Sequence, residues 1–247
     1  MKKKIIFTML IFLLSTGPAS SGFLDGIMDK IDPFLKGGKS GVAGEKVLSL
    51  DQTISGLKEA LSVGMANAIS LLSKTDGYFG NELTRILMPE KIQNVADMLK
   101  NVGLGGQVDN FVLTMNRAAE NAAPQAKGFL MGAIKEMSFD DAKGILNGGD
   151  TSATQYLDSK ARTKITNSFK PVIASSLDKV GATKAYKDMM SSFTSLPFAS
   201  AKSLDLDNYV TDQALDRLFL MVGEEETKIR THPTARVTDI LKQVFDR

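Results

Sequence analysis

The chain has 247 residues, of which 43% are hydrophobic and 23% are charged, and this ordinary balance supports a folded domain with a substantial core. Cysteine is absent, which excludes disulfides, thiolate catalysis and Cys-ligated zinc, and a single histidine excludes a multi-histidine metal site. The formal net charge of +2 gives no bulk electrostatic attraction to nucleic acid. We therefore expect no metal, no cofactor and no nucleic-acid partner.

The N-terminus has the pattern of a secretory signal peptide over residues 1–21. Lys2–Lys4 form a basic start, Ile5–Leu14 are apolar except for one threonine, and small residues follow up to Gly22. A membrane-spanning helix needs about twenty apolar residues, which this run does not reach. We expect cleavage after Ser21, with Ala19 and Gly22 as neighbouring cleavage sites and an uncleaved anchor as the alternative. Because there is no cysteine to carry a lipid, the sequence predicts an exported protein that is not a lipoprotein.

Residues 22–44 combine an amphipathic segment with a linker. The apolar residues of Phe23–Leu35 recur at helical spacing, and the opposite side is acidic. Interfacial helices usually carry Lys and Arg on their polar side, so packing on the main domain is favoured over binding to a membrane surface or a partner. Lys36–Gly44 is rich in glycine and predicts a flexible linker that marks the domain boundary.

Residues 45–247 are predicted to form one all-α, bundle-like domain. Apolar residues recur at steps of three and four, and no stretch shows the sustained alternation of a half-buried strand. Breaks are expected at residues 75–89, 103–106 and 193–203. The predicted helices are Ile54–Leu72, Pro89–Leu99, Val108–Ala122, Pro124–Met137, a short helix that begins at Ser138, Tyr156–Phe169, Pro171–Val180, Thr183–Phe193, Leu206–Val222 and Pro233–Phe245.

A polar group lies on the predicted helix Val108–Ala122. Asn116 and Glu120 are four residues apart, as are Arg117 and Asn121, so the members of each pair are neighbours on the helix surface. The flanking alanines let another backbone approach closely. Two interpretations stay open at this point. The group is either a buried polar network that fixes helix register, or a small-ligand pocket in which Arg117 binds an anionic group.

Acidic residues near predicted helix starts are explained first by capping. Ser138 is expected to cap a helix with Asp140 and Asp141 in its first turn, and Asp150 is expected at the next N-cap. Asp205–Asn208 also predicts a helix start. The glycines beside Asp150 allow a second interpretation, an anion bound at a helix N-terminus, which makes Asp150 a candidate ligand-binding residue.

A cluster of mixed charge precedes the last predicted helix. Such clusters usually form a solvated, salt-bridged turn between two helices, which is the structure predicted here. Arg230 and Arg236 of this cluster are further candidate ligand-binding residues, and its carboxylates allow acid–base chemistry if two of them face one cleft. His232 is expected to be an exposed loop residue. The members of the cluster are Glu224, Glu225, Glu226, Lys228, Arg230 and Arg236.

Several short phrases between Ser49 and Arg247 are distinctive when taken together. They are Met115–Glu120, Ala122–Pro124, Met137–Ser138, Asp141–Ala142, Ile145–Leu146, Gly148, Ala153–Tyr156, Tyr209–Thr211, Ala214–Asp216, Glu224–Glu225, Ile229–Arg230, Pro233 and Arg236. Together they resemble a bacterial family known as domain of unknown function 4197. The resemblance implies an exported or lipid-anchored helical protein of Gram-negative bacteria with no assigned activity, and it supplies no catalytic residues. Without a lipid-bearing cysteine, it implies the free periplasmic form.

The sequence favours a non-enzymatic periplasmic module that binds a partner protein or a small ligand, because no motif with a catalytic mechanism is present. The alternative is a carboxylate-dependent hydrolase that acts on cell-envelope material. Association with the membrane through Phe23–Leu35 is a weaker expectation. The candidate ligand-binding residues are Asn116, Arg117, Glu120, Asp150, Arg230 and Arg236, and no catalytic residue is assigned.

Overall fold

A computed structural model describes residues 50–196 and 204–232. The predicted signal peptide, the amphipathic segment with its linker, and the helix predicted from Pro233 lie outside the described residues, as does Arg236. None of the helices in the two described ranges is both long and apolar enough to cross a membrane.

The described ranges are helical and contain no strand, which confirms the all-α prediction. Two short 3-10 helices, Glu90–Ile92 and Ala123–Gln125, precede α2 and α4 respectively. The α-helices are α1 Leu50–Leu72, α2 Gln93–Asn101, α3 Gly105–Ala122, α4 Ala126–Glu136, α5 Phe139–Leu146, α6 Ser152–Lys179, α7 Ala182–Thr194 and α8 Leu206–Thr231.

The long helix α6 lies at the centre of the packing. It contacts α8, α3, α4, α5 and α7, and α1 packs on α8 and α4 from another side. The apolar faces of these helices meet in one continuous core, in which Phe111, Phe169 and Phe193 are fully buried. Burial of one such side chain stabilises the folded state by about 1.5–3 kcal/mol, so this core supplies the main driving force for folding.

The prediction of two helices separated at Pro171 was wrong, because α6 runs through this proline without ending. A proline inside a helix costs about 3 kcal/mol, since it removes one backbone hydrogen bond and crowds the preceding turn. The apolar residues at four-residue spacing on both sides of it, Ile165, Phe169, Ile173 and Leu177, are all fully buried. A straight continuation keeps all four in the core, and their burial outweighs the cost of the proline.

Three smaller boundaries also differ from the prediction. Pro89 does not begin a helix but precedes the 3-10 helix, and α2 starts at Gln93. The break predicted at residues 103–106 is confined to residues 102–104, because Gly105 is already the first residue of α3. Pro124 lies inside the second 3-10 helix, which connects α3 to α4 almost without interruption.

The predicted cap at Ser138 is confirmed, and it forms a reciprocal capping box with Asp141. The Asp141 backbone N–H donates to the Ser138 hydroxyl at 3.1 Å, while the Ser138 hydroxyl and backbone N–H donate to the Asp141 carboxylate at 2.7 and 3.0 Å. The hydroxyl bond is the main reason that the pKa of Asp141 lies below its usual range. This cap fixes the sharp corner between α4 and α5.

A loop of residues 73–89 joins α1 to the first 3-10 helix, and its first turn is unusually tight. Asp76 has a positive φ of 66°, and Gly77 follows with its backbone against the end of α1. A Cβ atom at Gly77 would lie 2.4 Å from the carbonyl oxygen of Leu71 and 2.7 Å from that of Leu72. Only glycine fits this contact without displacing the backbone.

We predict that Gly77→Ala lowers the free energy of unfolding by about 2 kcal/mol, because the added methyl overlaps two backbone oxygens. The matched control is Gly128→Ala on α4, where a Cβ would meet no atom within 4 Å. This control should gain about 0.5–1 kcal/mol from its higher helix propensity. Urea unfolding followed by circular dichroism at the helix band measures both. A Gly77→Ala protein as stable as the wild type would contradict the described turn.

Candidate functional site

Asn116 of α3 binds both backbone polar groups of Ile86, in the loop of residues 73–89, as a residue of a neighbouring strand would. Its side-chain oxygen accepts the Ile86 backbone N–H at 2.8 Å, and its amide group donates to the Ile86 carbonyl oxygen at 2.8 Å. A third bond runs from the same amide group to the carbonyl oxygen of Val112 at 2.7 Å. Asn116 and Ile86 are both fully buried, so no water competes for these groups.

Glu120, one helical turn further along α3, accepts two N–H groups of the same loop. Its Oε1 lies 3.2 Å from the backbone nitrogen of Tyr78 and 3.3 Å from that of Phe79. Its Oε2 accepts a bond from Nη1 of Arg117 at 2.7 Å, and Nη2 of Arg117 binds Asp76 at 2.8 Å. The bond to Glu120 is the main reason that the pKa of Arg117 is raised.

Three of the predicted ligand-binding residues, Asn116, Arg117 and Glu120, therefore meet in one network that binds the loop to α3. This arrangement corresponds to the buried-network interpretation, with the loop backbone rather than a second helix as its partner. Asn121, the fourth polar residue of that group, is exposed and lies apart from the network.

Two more side chains fix the loop from within. The Tyr78 hydroxyl is buried and donates to the carbonyl oxygen of Ala214 on α8 at 3.0 Å. Burial raises the pKa of this phenol, and the nearby Glu120 carboxylate raises it further. The Thr84 hydroxyl is also buried and lies 2.9 Å from the carbonyl oxygen of Gly77. The loop is thus bound to α3, to α8 and to itself, and we call it the anchored loop, residues 73–89.

The anchored loop displays apolar and basic side chains on its outer surface. Leu83 and Leu87 are each 59% exposed. Arg85 is held in place by two contacts with Phe79: its Nε donates to the Phe79 carbonyl oxygen at 2.6 Å, and its Cζ lies 4.6 Å from the centre of the Phe79 ring. Such a stack fixes the plane of the guanidinium group and leaves its outer N–H groups available.

A groove of about 540 Å³ lies between the anchored loop, α2 and α3. Its charged residues are Arg85, Lys100 and Asp109, so cations outnumber anions, and we call it the basic groove. Its wall also contains apolar side chains and one amide. The remaining lining residues are Phe79, Leu87, Met88, Gln93, Ala96, Val108 and Val112.

A second groove of about 600 Å³ lies on the other side of the loop, against the start of α8. Its charged residues are Glu90, Asp205, Asp212 and Lys91, and we call it the acidic groove. The Tyr209 hydroxyl in its wall donates to the Leu87 carbonyl oxygen at 3.0 Å. Leu87 and Met88 line both grooves. The remaining lining residues are Pro89, Leu204, Asn208, Tyr209 and Gln213.

The N-terminus of α6, for which an anion site was the second interpretation, is occupied by a side chain of the protein. Glu226 of α8 accepts the backbone N–H of Ala153 at 3.1 Å and that of Thr154 at 2.8 Å, together with the Thr154 hydroxyl at 2.8 Å. Arg230 binds the same carboxylate at 2.9 Å and also donates to the Ile145 carbonyl oxygen at 3.2 Å. A carboxylate at this position interacts favourably with the helix dipole.

Asp150 does not have the predicted N-cap position, which belongs to Thr151. The Asp150 side chain is exposed in the turn before α6. A capping side chain accepts hydrogen bonds from the first N–H groups of a helix. In α6, Glu226 already accepts the N–H groups of Ala153 and Thr154, so these two groups are not free for a cap at Asp150. Of the predicted ligand-binding residues, Asp150 and Arg230 thus lie at the α6 N-terminus, apart from the network of Arg117. None of the five described candidates lines the basic groove or the acidic groove.

The prediction of a solvated turn at residues 224–230 was also wrong, because α8 continues to Thr231. Glu225 and Glu226 are only 8% and 5% exposed. Glu225 accepts bonds from Asn67 of α1 at 3.2 Å and from Lys228 at 2.7 Å. Glu226 and Arg230 are four residues apart, and an acid and a base at this spacing favour a helix. The prediction of a turn did not take this signal into account.

A small cavity lies between α1 and α8, beside Gly64 and Val222. Its volume is only about 10 Å³, which is the space of about one water molecule. No group of three or more acidic or histidine side chains among the described residues is placed to hold a metal ion. His232 ends α8 and is exposed, as predicted.

Comparison with known families identifies the chain at the level of a family. A family model described as "Protein of unknown function (DUF4197)" matches residues 47–246. The chain belongs to this family. The match confirms the resemblance seen in the sequence, and the matched residues include both ranges that the structure describes. No curated protein and no solved structure showed significant similarity to the chain.

We predict that Asn116→Ala in this DUF4197 domain lowers the free energy of unfolding by about 3 kcal/mol, because it leaves the buried N–H and C=O groups of Ile86 without partners. The matched control is Asn121→Ala, an exposed position on the same helix, which should change stability by less than about 0.5 kcal/mol. Urea unfolding followed by circular dichroism measures the difference. Equal losses from the two substitutions would show that Asn116 does not hold the loop.

Proposed function

We propose that the protein is an exported, non-enzymatic binding module, and that it binds a segment of a partner protein at the anchored loop and its two grooves. The observation that carries this proposal is the pair of exposed leucines, Leu83 and Leu87, on a loop whose backbone is fixed by buried hydrogen bonds.

The fixed backbone explains why the exposure of the leucines points to binding. A mobile loop can turn apolar side chains inward, but Asn116, Glu120 and Tyr78 hold this one in a single position. Grouped apolar side chains that stay exposed commonly mark an interaction surface. A surface that is already rigid also loses less conformational entropy when a partner binds, which favours affinity.

The shape of the site supports a protein segment over a small molecule. Small ligands are usually bound in pockets that bury most of their surface. Both grooves are partly open to solvent, and Leu87 and Met88 line both of them, so one extended chain can contact the two grooves. The cavity between α1 and α8, at about 10 Å³, is too small for a metabolite.

The hydrolase that the sequence left as an alternative gains no support from the buried acids of the described residues. Glu120 and Glu226 accept backbone N–H groups and bind arginines, and Glu225 binds Asn67 and Lys228. A general acid or base needs a carboxyl group that is free to reach a substrate, and these three are engaged in holding the fold.

The binding test uses a photo-crosslinking amino acid at Leu87, with the same substitution at Phe139 as control. Phe139 is also an exposed apolar residue, on α5, and it lines neither groove. Crosslinking in the periplasm followed by peptide mass spectrometry identifies the partner and its bound segment. Affinity of that purified partner is then measured for Leu87→Glu and Phe139→Glu.

We predict that Leu87→Glu lowers the affinity at least about tenfold, because burial of one leucine in an interface contributes on the order of 1.4 kcal/mol or more. Phe139→Glu should leave the affinity unchanged. Equal affinity of the two variants, or a crosslinked product that forms as readily from residue 139, would contradict the proposed site. A small molecule that co-purifies with the wild type and is lost in Leu87→Glu would instead support a small-ligand site.

The proposed export rests on the basic start, short apolar run and small-residue exit of residues 1–21. We predict that protein isolated from the periplasmic fraction of a Gram-negative host begins at Gly22, as measured by intact mass and N-terminal sequencing. Ala19→Arg places a large charged side chain three residues before the cut and should leave the uncleaved precursor at the membrane. Recovery of the full-length wild-type chain from the cytosol would refute export.

A further inference from the structure

We propose that the partner segment is an extended stretch of polypeptide with separated charges: a carboxylate for the basic groove, an apolar side chain at Leu87 and Met88, and a cationic side chain for the acidic groove. This inference rests on the proposed function and specifies the chemistry of the partner that it requires.

The basic groove offers two cations that the fold does not use. Arg85 commits its Nε to the Phe79 carbonyl oxygen, and its two Nη groups have no hydrogen-bond or ion-pair partner within the described ranges. Lys100 of α2 also has none among the described side chains. Arg117 and Arg162, by contrast, are paired, Arg117 with Glu120 and Asp76 and Arg162 with Asp158 and Asp216. Arg85 and Lys100 line one groove together, so their donors can bind one carboxylate there.

The stack on Phe79 makes Arg85 suited to this role. Its guanidinium plane is fixed by the ring and by the bond through Nε, so little side-chain entropy is lost when a carboxylate binds. A planar fork of this kind binds a carboxylate through two parallel hydrogen bonds. Asp109, the one acid of the groove, forms no ion pair with Arg85 or Lys100 among the described contacts.

The acidic groove has the opposite character. Glu90, Asp205 and Asp212 line it against a single cation, Lys91. Asp205 caps α8 through the backbone N–H of Asn208, whereas Glu90 and Asp212 are exposed and have no ion-pair partner among the described residues. A lysine or arginine of the partner would neutralise this excess of negative charge.

Leu87 and Met88 separate the two grooves and line both of them. A bound segment that occupies both grooves must therefore cross this apolar wall. An apolar side chain of the segment would bury the most apolar surface there and so contribute most to the binding free energy. A segment with only acidic or only basic residues would meet like charge in one of the two grooves. The site thus selects by repulsion as well as by attraction.

The test selects from a random dodecapeptide library displayed on phage, with the immobilised wild-type protein as bait. The charge variants are Lys100→Glu in the basic groove and Asp212→Lys in the acidic groove. Their controls carry the same charge changes at exposed positions outside both grooves, Lys127→Glu on α4 and Asp51→Lys on α1. A third variant, Leu83→Glu with Leu87→Glu, removes the apolar surface, and circular dichroism verifies that each protein is folded.

We expect the wild type to enrich peptides that place an acidic and a basic residue on opposite sides of an apolar one. Lys100→Glu should lower the enrichment of the acidic residue about tenfold, and Asp212→Lys should do the same for the basic residue, since each variant replaces attraction by repulsion. Lys127→Glu and Asp51→Lys should select the same peptides as the wild type.

The outcomes separate this inference from the proposed function. One outcome is that the selected peptides need Leu83 and Leu87 for binding, but have the same charge pattern whether the wild type, Lys100→Glu or Asp212→Lys is the bait. This outcome would contradict the charge-separated segment and would still support the proposed binding site. Two other outcomes would contradict both the charge-separated segment and the proposed binding site. In the first, the selected peptides bind the Leu83→Glu, Leu87→Glu double variant as well as they bind the wild type. In the second, the wild type enriches no peptide.

Discussion

A loop that crosses the surface of a helical domain must find partners for its own backbone N–H and C=O groups, because it has no ladder of its own to satisfy them. In this domain α3 supplies those partners. Asn116 binds both backbone groups of Ile86, and Glu120 accepts the N–H groups of Tyr78 and Phe79. These bonds hold the loop backbone in the position that shapes the two grooves beside it.

The same solution appears again at the start of α6. There a carboxylate from α8, that of Glu226, accepts the free N–H groups of the helix, and Arg230 balances its charge. Glu120 and Arg117 form the equivalent pair under the anchored loop. In both places a buried acid is tolerated because it receives backbone hydrogen bonds and a charged arginine together. Each pair joins segments that are distant in sequence: Glu226 and Arg230 join α8 to α6, and Glu120 and Arg117 join α3 to the anchored loop.

The sequence predicted the helical class and most helices because apolar spacing is a local signal. It failed at Pro171 and at residues 224–231, where local signals for a break were overruled by tertiary burial of Ile173, Glu225 and Glu226. The polar group at Asn116 and Glu120 was recognisable from its spacing. Its partner was not, because that partner is the backbone of a loop 30 to 42 residues away. The grooves were not predictable at all, since three separate segments form the basic one.

The bond from the Tyr78 hydroxyl to Ala214 joins residues that are 136 positions apart, and the bond from Tyr209 to Leu87 spans 122 positions. A chain that is synthesised from its N-terminus produces the anchored loop early and α8 late. Until α8 has been made, the loop lacks these two attachments. The surface around the loop is therefore completed only when nearly all of the described domain has been made, so a truncated or stalled chain carries the residues of this surface without their final geometry.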